Sequence, residues 1–137
     1  MLSAGTQLVA ITDGARGSCA YTPKCKAYSQ SPEISVVDTV GAGDTFHAGL
    51  LAWLDRQNVF QLSDSTGATR NNDASRARAS DGKNNPLRQN PSTLFDTLDT
   101  EQLESAISFA AAAAALTCMR NGCDPPTATE VGGFISR

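Results

Sequence analysis

The stretch that most constrains the fold is Val36-Val37-Asp38-Thr39-Val40-Gly41-Ala42-Gly43-Asp44-Thr45-Phe46-His47-Ala48-Gly49-Leu50. β-branched residues lead into paired glycines, and Phe46, Leu50 and Leu54 then recur at i, i+4 and i+8, the spacing of one helical face. The segment therefore reads as strand, turn and helix. Gly41 and Gly43 lack Cβ atoms, so the turn can present successive backbone N–H groups to a ligand. Those donors coincide with the positive end of the helix dipole, which makes an anion site suited to phosphate. Glycines alone would equally serve an ordinary strand-to-helix turn. Two familiar phosphate loops are excluded: no Lys-Ser/Thr follows the glycines, and Gly41-x-Gly43 lacks the third glycine of a dinucleotide fingerprint. Asp44 has two readings. It is a base for a hydroxyl attacking phosphate, or a plain helix cap.

Around this segment strand and helix signals alternate, which favours a layered α/β domain. Leu8-Val9-Ala10-Ile11 is a continuous apolar run that ends at Asp13-Gly14, as in a strand buried on both faces. Shorter strands are expected at Ser18 to Thr22 and Ile34 to Val37, and a helix from Asp44 to about Arg56. Asp99 with Gln102 forms a capping box for a helix that runs to about Arg120, with Gly122 placed for a left-handed stop. The alanines 110–115 in its centre favour helix and allow a neighbour to pack closely. Thr127 with Glu130 forms a second box before a short helix bearing Val131, Phe134 and Ile135. Between Ser63 and Thr93 the apolar residues are four alanines and Leu87, too little to offset ordering entropy. The organisation expected is therefore a core over 1–62, a disordered polar insertion over 63–93 and the rest of the same domain over 94–137.

Composition excludes several functions. The formal charge of −3 and the lack of a clustered basic footprint argue against nucleic-acid binding. The longest apolar run, Phe109 to Leu116, is far short of the about 20 residues a membrane helix needs. No positive, apolar leader opens the chain, so a cytoplasmic location is expected. Cys19, Cys25, Cys118 and Cys123 match neither a C-x-x-C redox pair nor common zinc spacing, and read as reduced, partly buried thiols.

Asp38-Thr39-Val40-Gly41-Ala42-Gly43-Asp44-Thr45-Phe46 closely resembles the C-terminal signature of the ribokinase/PfkB carbohydrate kinases. Thr12-Asp13-Gly14-Ala15-Arg16-Gly17 resembles that family's nucleotide loop, and the alanine-rich helix ending Arg120-Asn121-Gly122 its adenine-side helix. The resemblance implies a ribokinase-like three-layer α/β/α fold, of which this chain holds the C-terminal portion only. It implies ATP-dependent phosphorylation of a sugar hydroxyl, fructokinase-like, with ATP and Mg2+ as cofactors. Asp44 would be the catalytic base, and the amides of Gly41, Ala42, Gly43 and Asp44 the anion hole. Thr12, Gly14 and Gly17 would lie along the nucleotide, while Ala111 stands where the family often places asparagine near the adenine. A potassium site is implied at Asp38, Val40, Thr117, Arg120 and Gly122. His47 reads as a packed or surface residue and Trp53 as core. The family's sugar-binding residues and N-x-x-E motif have no counterpart here. The partners implied are the sugar, ATP, and a separate N-terminal half or a second copy of the chain. The alternative is a truncated, non-catalytic remnant that at most binds nucleotide.

Overall fold

The computed structural model describes residues 6–60, 95 and 97–136. The polar segment 63–93 and both of its boundaries lie outside the described residues. Three strands come first: β1 (Val9–Thr12), β2 (Ser18–Tyr21) and β3 (Lys26–Ser29). Three helices follow: α1 (Ala42–Arg56), α2 (Thr100–Cys118) and α3 (Ala128–Ile135).

The strands form an antiparallel sheet in the order β1-β2-β3. Its register aligns Ala10 with Ala20 and Ala20 with Ala27, and Ser18 with Ser29, so small residues share one face. Ser18, Ala20, Ala27 and Ser29 are buried on that face, which packs against α2. The Ser29 and Ser108 hydroxyls, 2.9 Å apart, tie sheet to helix. The opposite face carries Ile11, Tyr21 and Tyr28, all exposed. The expectation that β1 is buried on both faces is thus corrected: β1 pairs antiparallel with β2, and Ile11 is 50% exposed.

Two further strand expectations change. Ile34–Val37 forms no strand, because the N–H groups of Val37 and Asp38 donate to the Cys118 carbonyl at the end of α2 instead of to a sheet neighbour. β3, absent from the sequence reading, forms because a tight turn returns the chain: Thr22 N–H donates to the Cys25 carbonyl at 2.9 Å, and Thr22 Oγ1 accepts from Cys25 N–H.

The helices follow their sequence signals closely. Both capping boxes are formed, Asp99 with Gln102 and Thr127 with Glu130. α2 ends at Cys118, slightly before Arg120. Phe46, Leu50 and Leu54 lie buried along one face of α1, and Trp53 packs partly buried against the same core. Leu54, Leu103 and Ile107 are at most 1% exposed, each contributing about 1.5–3 kcal/mol by removal from water. The alanine run lets three neighbours approach α2 at once. Ala110 and Ala111 belong to the core shared with α1 and the sheet, whereas Ala112 and Ala113 pack under Val131 and Phe134 of α3. A Cβ added at Gly49 would stand 3.2 Å from the Ala110 Cα, so the α1–α2 crossing depends on that glycine. No helix among the described residues is long and apolar enough to cross a membrane.

Candidate active site

The centre of the candidate site is the N-terminus of α1. Gly41 takes a left-handed conformation (φ +80°) and is the residue at which the helix begins. Ala42 N–H donates to the Thr39 carbonyl at 3.2 Å, and Thr45 N–H to the Gly41 carbonyl at 2.8 Å. The amides of Gly41, Gly43 and Asp44 have no acceptor among the described residues. A helix start leaves such donors orphaned unless a cap, water or ligand satisfies them. Here no side chain caps the helix, and a Cβ added at Gly43 would meet open space. Asp44 lies in the first turn, exposed, with no hydrogen-bond partner among the described residues. Its carboxylate makes no capping hydrogen bond, and the N-cap position belongs to Gly41.

The loop feeding this cradle is held by the end of α2. Asp38 accepts from Val40 N–H through Oδ1 and from Gly122 N–H through Oδ2, both at 3.0 Å. These backbone donors, Val40 first and then Gly122, hold its carboxyl below the usual range. Gly122 has φ +73°, in keeping with the expected left-handed turn after α2. The Thr117 hydroxyl, fully buried, donates to the Thr45 hydroxyl at 3.2 Å and so ties α2 to the first turn of α1. Cys118 lies beside Asp38, and burial followed by that charge pushes its thiol up.

Asp38, Val40 and Gly122 are thus brought together, with Thr117 close by in the same helix end. Their oxygens are largely engaged. Both Asp38 oxygens take N–H groups, and the Thr117 carbonyl accepts from Arg120 N–H at 3.1 Å. The Arg120 side chain reaches away to Asp124 and Glu130. No cluster of three or more His, Cys, Asp or Glu suited to a metal ion occurs among the described residues.

The second loop follows β1. Asp13 N–H donates to the Gly17 carbonyl at 2.8 Å, and the Arg16 guanidinium grips the Asp13 carboxylate with two bonds of 2.7 Å. The Tyr28 hydroxyl donates to the Arg16 carbonyl. Gly14 (φ +54°) faces open space, as a ligand-approach glycine would. Gly17 differs: its φ is +113°, and an added Cβ would stand 2.3 Å from the Ser29 carbonyl oxygen, so sheet geometry alone demands glycine there. Thr12 is exposed at the end of β1. Ala111 is 7% exposed within the core, where its methyl group contacts protein. His47 is exposed, its ring edge-on to Phe46.

One contact had no signal in the sequence. A Cβ on Gly41 would lie 2.3 Å from the Cys123 sulfur, so this thiol packs directly on the cradle's first residue. The four cysteines are free, and Cys123 is the exposed one. The buried hydroxyl of Ser18 has no hydrogen-bond partner among the described residues.

The start of α1 thus joins, in an α/β protein, a glycine turn, amides without acceptors among the described residues and an exposed carboxylate. The pattern of the pfkB family of carbohydrate kinases matches residues 1–72. The chain belongs to that family. A fructokinase from Rhizobium leguminosarum bv. trifolii is 52% identical over 58 residues, which are 42% of this chain and 18% of that protein. Among solved structures, a fructokinase from Xylella fastidiosa with bound ATP superposes with a TM-score of 0.63 at 25% identity, over 95% of this chain and 32% of that one. A protein assigned as a ribokinase II from E. coli, in complex with ATP and Mg2+, gives 0.62 at 21% identity, over 99% of this chain and 31% of that one. The fold is ribokinase-like, and the chain spans about a third of the length of these structures.

Proposed function

We propose that this chain supplies the phosphate cradle and base of an ATP-dependent carbohydrate kinase, with a fructose-like sugar as acceptor. The observation that carries the reading is the cradle at α1: three amides without acceptors among the described residues, open space above Gly43, and an exposed Asp44 carboxylate in the first turn of the helix. A relative 52% identical over 58 residues is a fructokinase, and two similar structures hold ATP, one with Mg2+.

In this reading the amides of Gly41, Gly43 and Asp44 bind the phosphoryl oxygens, whose negative charge in the transition state is spread and best met by preorganised donors. The Ala42 amide joins them by giving up its bond to Thr39. Asp44 accepts the proton of the attacking sugar hydroxyl. Loop 12–17 takes the nucleotide, with Gly14 allowing close approach and Thr12 lining the entrance. The triphosphate brings Mg2+, which neutralises charge along it. A potassium ion beside Asp38 would have to compete with the N–H groups of Val40 and Gly122, and its ligands would be Asp38 and the carbonyls of Val40, Thr117, Arg120 and Gly122.

Orientation of both reactants is needed for transfer, and the chain spans about a third of similar kinases. Catalysis therefore calls for sugar-binding residues beyond those in this sequence. A second reading, a nucleotide-binding remnant, draws on the exposure of Ile11, Val36, Val37 and Val40, apolar residues that a complete domain would cover. The experiment mixes this chain with the N-terminal part of a pfkB-family fructokinase and follows fructose-dependent ADP release. Activity that vanishes with Asp44→Asn, while ATP binding persists, supports the kinase reading. ATP binding without fructose-dependent turnover supports the remnant.

A further inference from the structure

The turn after α2, residues 119–124, touches the cradle loop by independent routes. Gly122 N–H holds Asp38, the Cys123 sulfur packs on Gly41, and the Cys118 carbonyl just before the turn receives both Val37 and Asp38 N–H. The turn contains no regular helix or strand of its own. Arg120, whose side chain is 27% exposed, spans it. One Nη bonds Asp124 within the turn at 3.2 Å, and the other bonds Glu130 on α3. Glu130 is itself anchored, since its carboxylate accepts from Thr127 N–H and the Thr127 hydroxyl in the α3 capping box. α3 in turn is seated on α2 through Val131. A chain of fixed contacts thus runs from α3 through the guanidinium to Gly41.

We infer that Arg120 is a positioning residue: by bridging Asp124 and Glu130 it sets the turn that holds Asp38 and Gly41, and thereby the direction of the cradle amides. This rests on the reading of residues 41–44 as the phosphate cradle. Two divergent bonds need the planar fork of arginine; lysine keeps the charge but offers a single point of contact. Arg120 touches no reacting atom.

The test measures amide hydrogen exchange by NMR on the full 137-residue chain for the wild type, Arg120→Met and Arg120→Lys. In the Met variant Gly122 should exchange at least tenfold faster and the Gly41 and Gly43 resonances should move, while Leu50 and Ala110 in the α1–α2 core stay within twofold. The Lys variant should fall between. Gly122 exchange within twofold of wild type in the Met variant would overturn the inference, as would acceleration shared equally by Leu50 and Ala110. Titration with Mg·ATP gives the second readout: the Met variant should bind at least tenfold more weakly, and equal affinity would overturn the inference. A wild-type chain that takes up no ATP, while its Gly122 exchange still responds to Arg120→Met, would refute the kinase reading and leave the positioning role standing.

Discussion

Replacing Gly17 by alanine probes the nucleotide loop where its two possible demands, sheet geometry and ligand approach, can be told apart. Gly17 adopts φ +113° and ψ −152°, a region occupied almost only by glycine. Forcing an L-residue there costs on the order of 1–3 kcal/mol. The new Cβ would also lie 2.3 Å from the Ser29 carbonyl oxygen and 3.1 Å from the Gln30 Cα. Both atoms are backbone at the end of β3 and cannot swing aside, so a further ~1–3 kcal/mol of overpacking applies. The sum is about 2–6 kcal/mol, a large share of the ~5–15 kcal/mol that a domain typically has. In urea denaturation with a slope of ~2 kcal/mol/M, a 4 kcal/mol loss lowers the midpoint by about 2 M. Gly14→Asn is the companion. Its φ of +54° suits asparagine and nothing lies within 4 Å, so stability should change by less than ~1 kcal/mol. ATP affinity should nonetheless fall, because the side chain fills the approach to the loop. A Gly17→Ala variant within ~0.5 kcal/mol of wild type would refute the strain argument, and a Gly14→Asn variant with unchanged ATP affinity would refute the ligand-approach argument.

Other outcomes are expected. Asp44→Asn should abolish phosphotransfer in the reconstituted assay and leave ATP binding within a few-fold; an active Asn variant would remove Asp44 as the base. Glu130 is held at about 2 against an ordinary 4.5, by the Thr127 N–H and hydroxyl and then by Arg120. A depressed carboxylate stabilises the fold above its unfolded value and loses that contribution as pH falls, here between about 4.5 and 2. Glu130→Gln should accordingly flatten the acid-denaturation curve across that window, read by circular dichroism. Leu103→Ala, at a site with 0% exposure, should cost about 2–5 kcal/mol in chemical denaturation. Ser18→Ala removes a buried hydroxyl that has no partner among the described residues and should be neutral or stabilising by up to ~1 kcal/mol in the same measurement.

Features written in local chemistry were legible in the sequence. The two capping boxes, the α1 apolar face and the glycine turn each depend on residues within one or two helical turns, and each is formed. Features set by distant partners were not. Val36 and Val37 look like strand residues, yet the Val37 amide finds the carbonyl of Cys118 at a helix end. Lys26–Ser29 has a modest apolar pattern, and becomes a strand because the Thr22–Cys25 turn delivers it to β2. The Cys123 contact on Gly41 joins residues far apart in the chain, and a single exposed cysteine announces no such role. Gly17 and Gly14 look alike as letters. Only their surroundings show that one answers to the Ser29 carbonyl and the other to open space.

In the proposed function the start of α1 receives the phosphates of ATP. Titrating the ¹⁵N-labelled chain with Mg·ATP tests it most directly, through the amide resonances of Gly41, Gly43 and Asp44. Saturable shifts are expected at these amides and at Gly14, with the buried amides of Leu103 and Ile107 unmoved. Saturable ATP binding that leaves Gly41, Gly43 and Asp44 unshifted, or no binding at all, would contradict it.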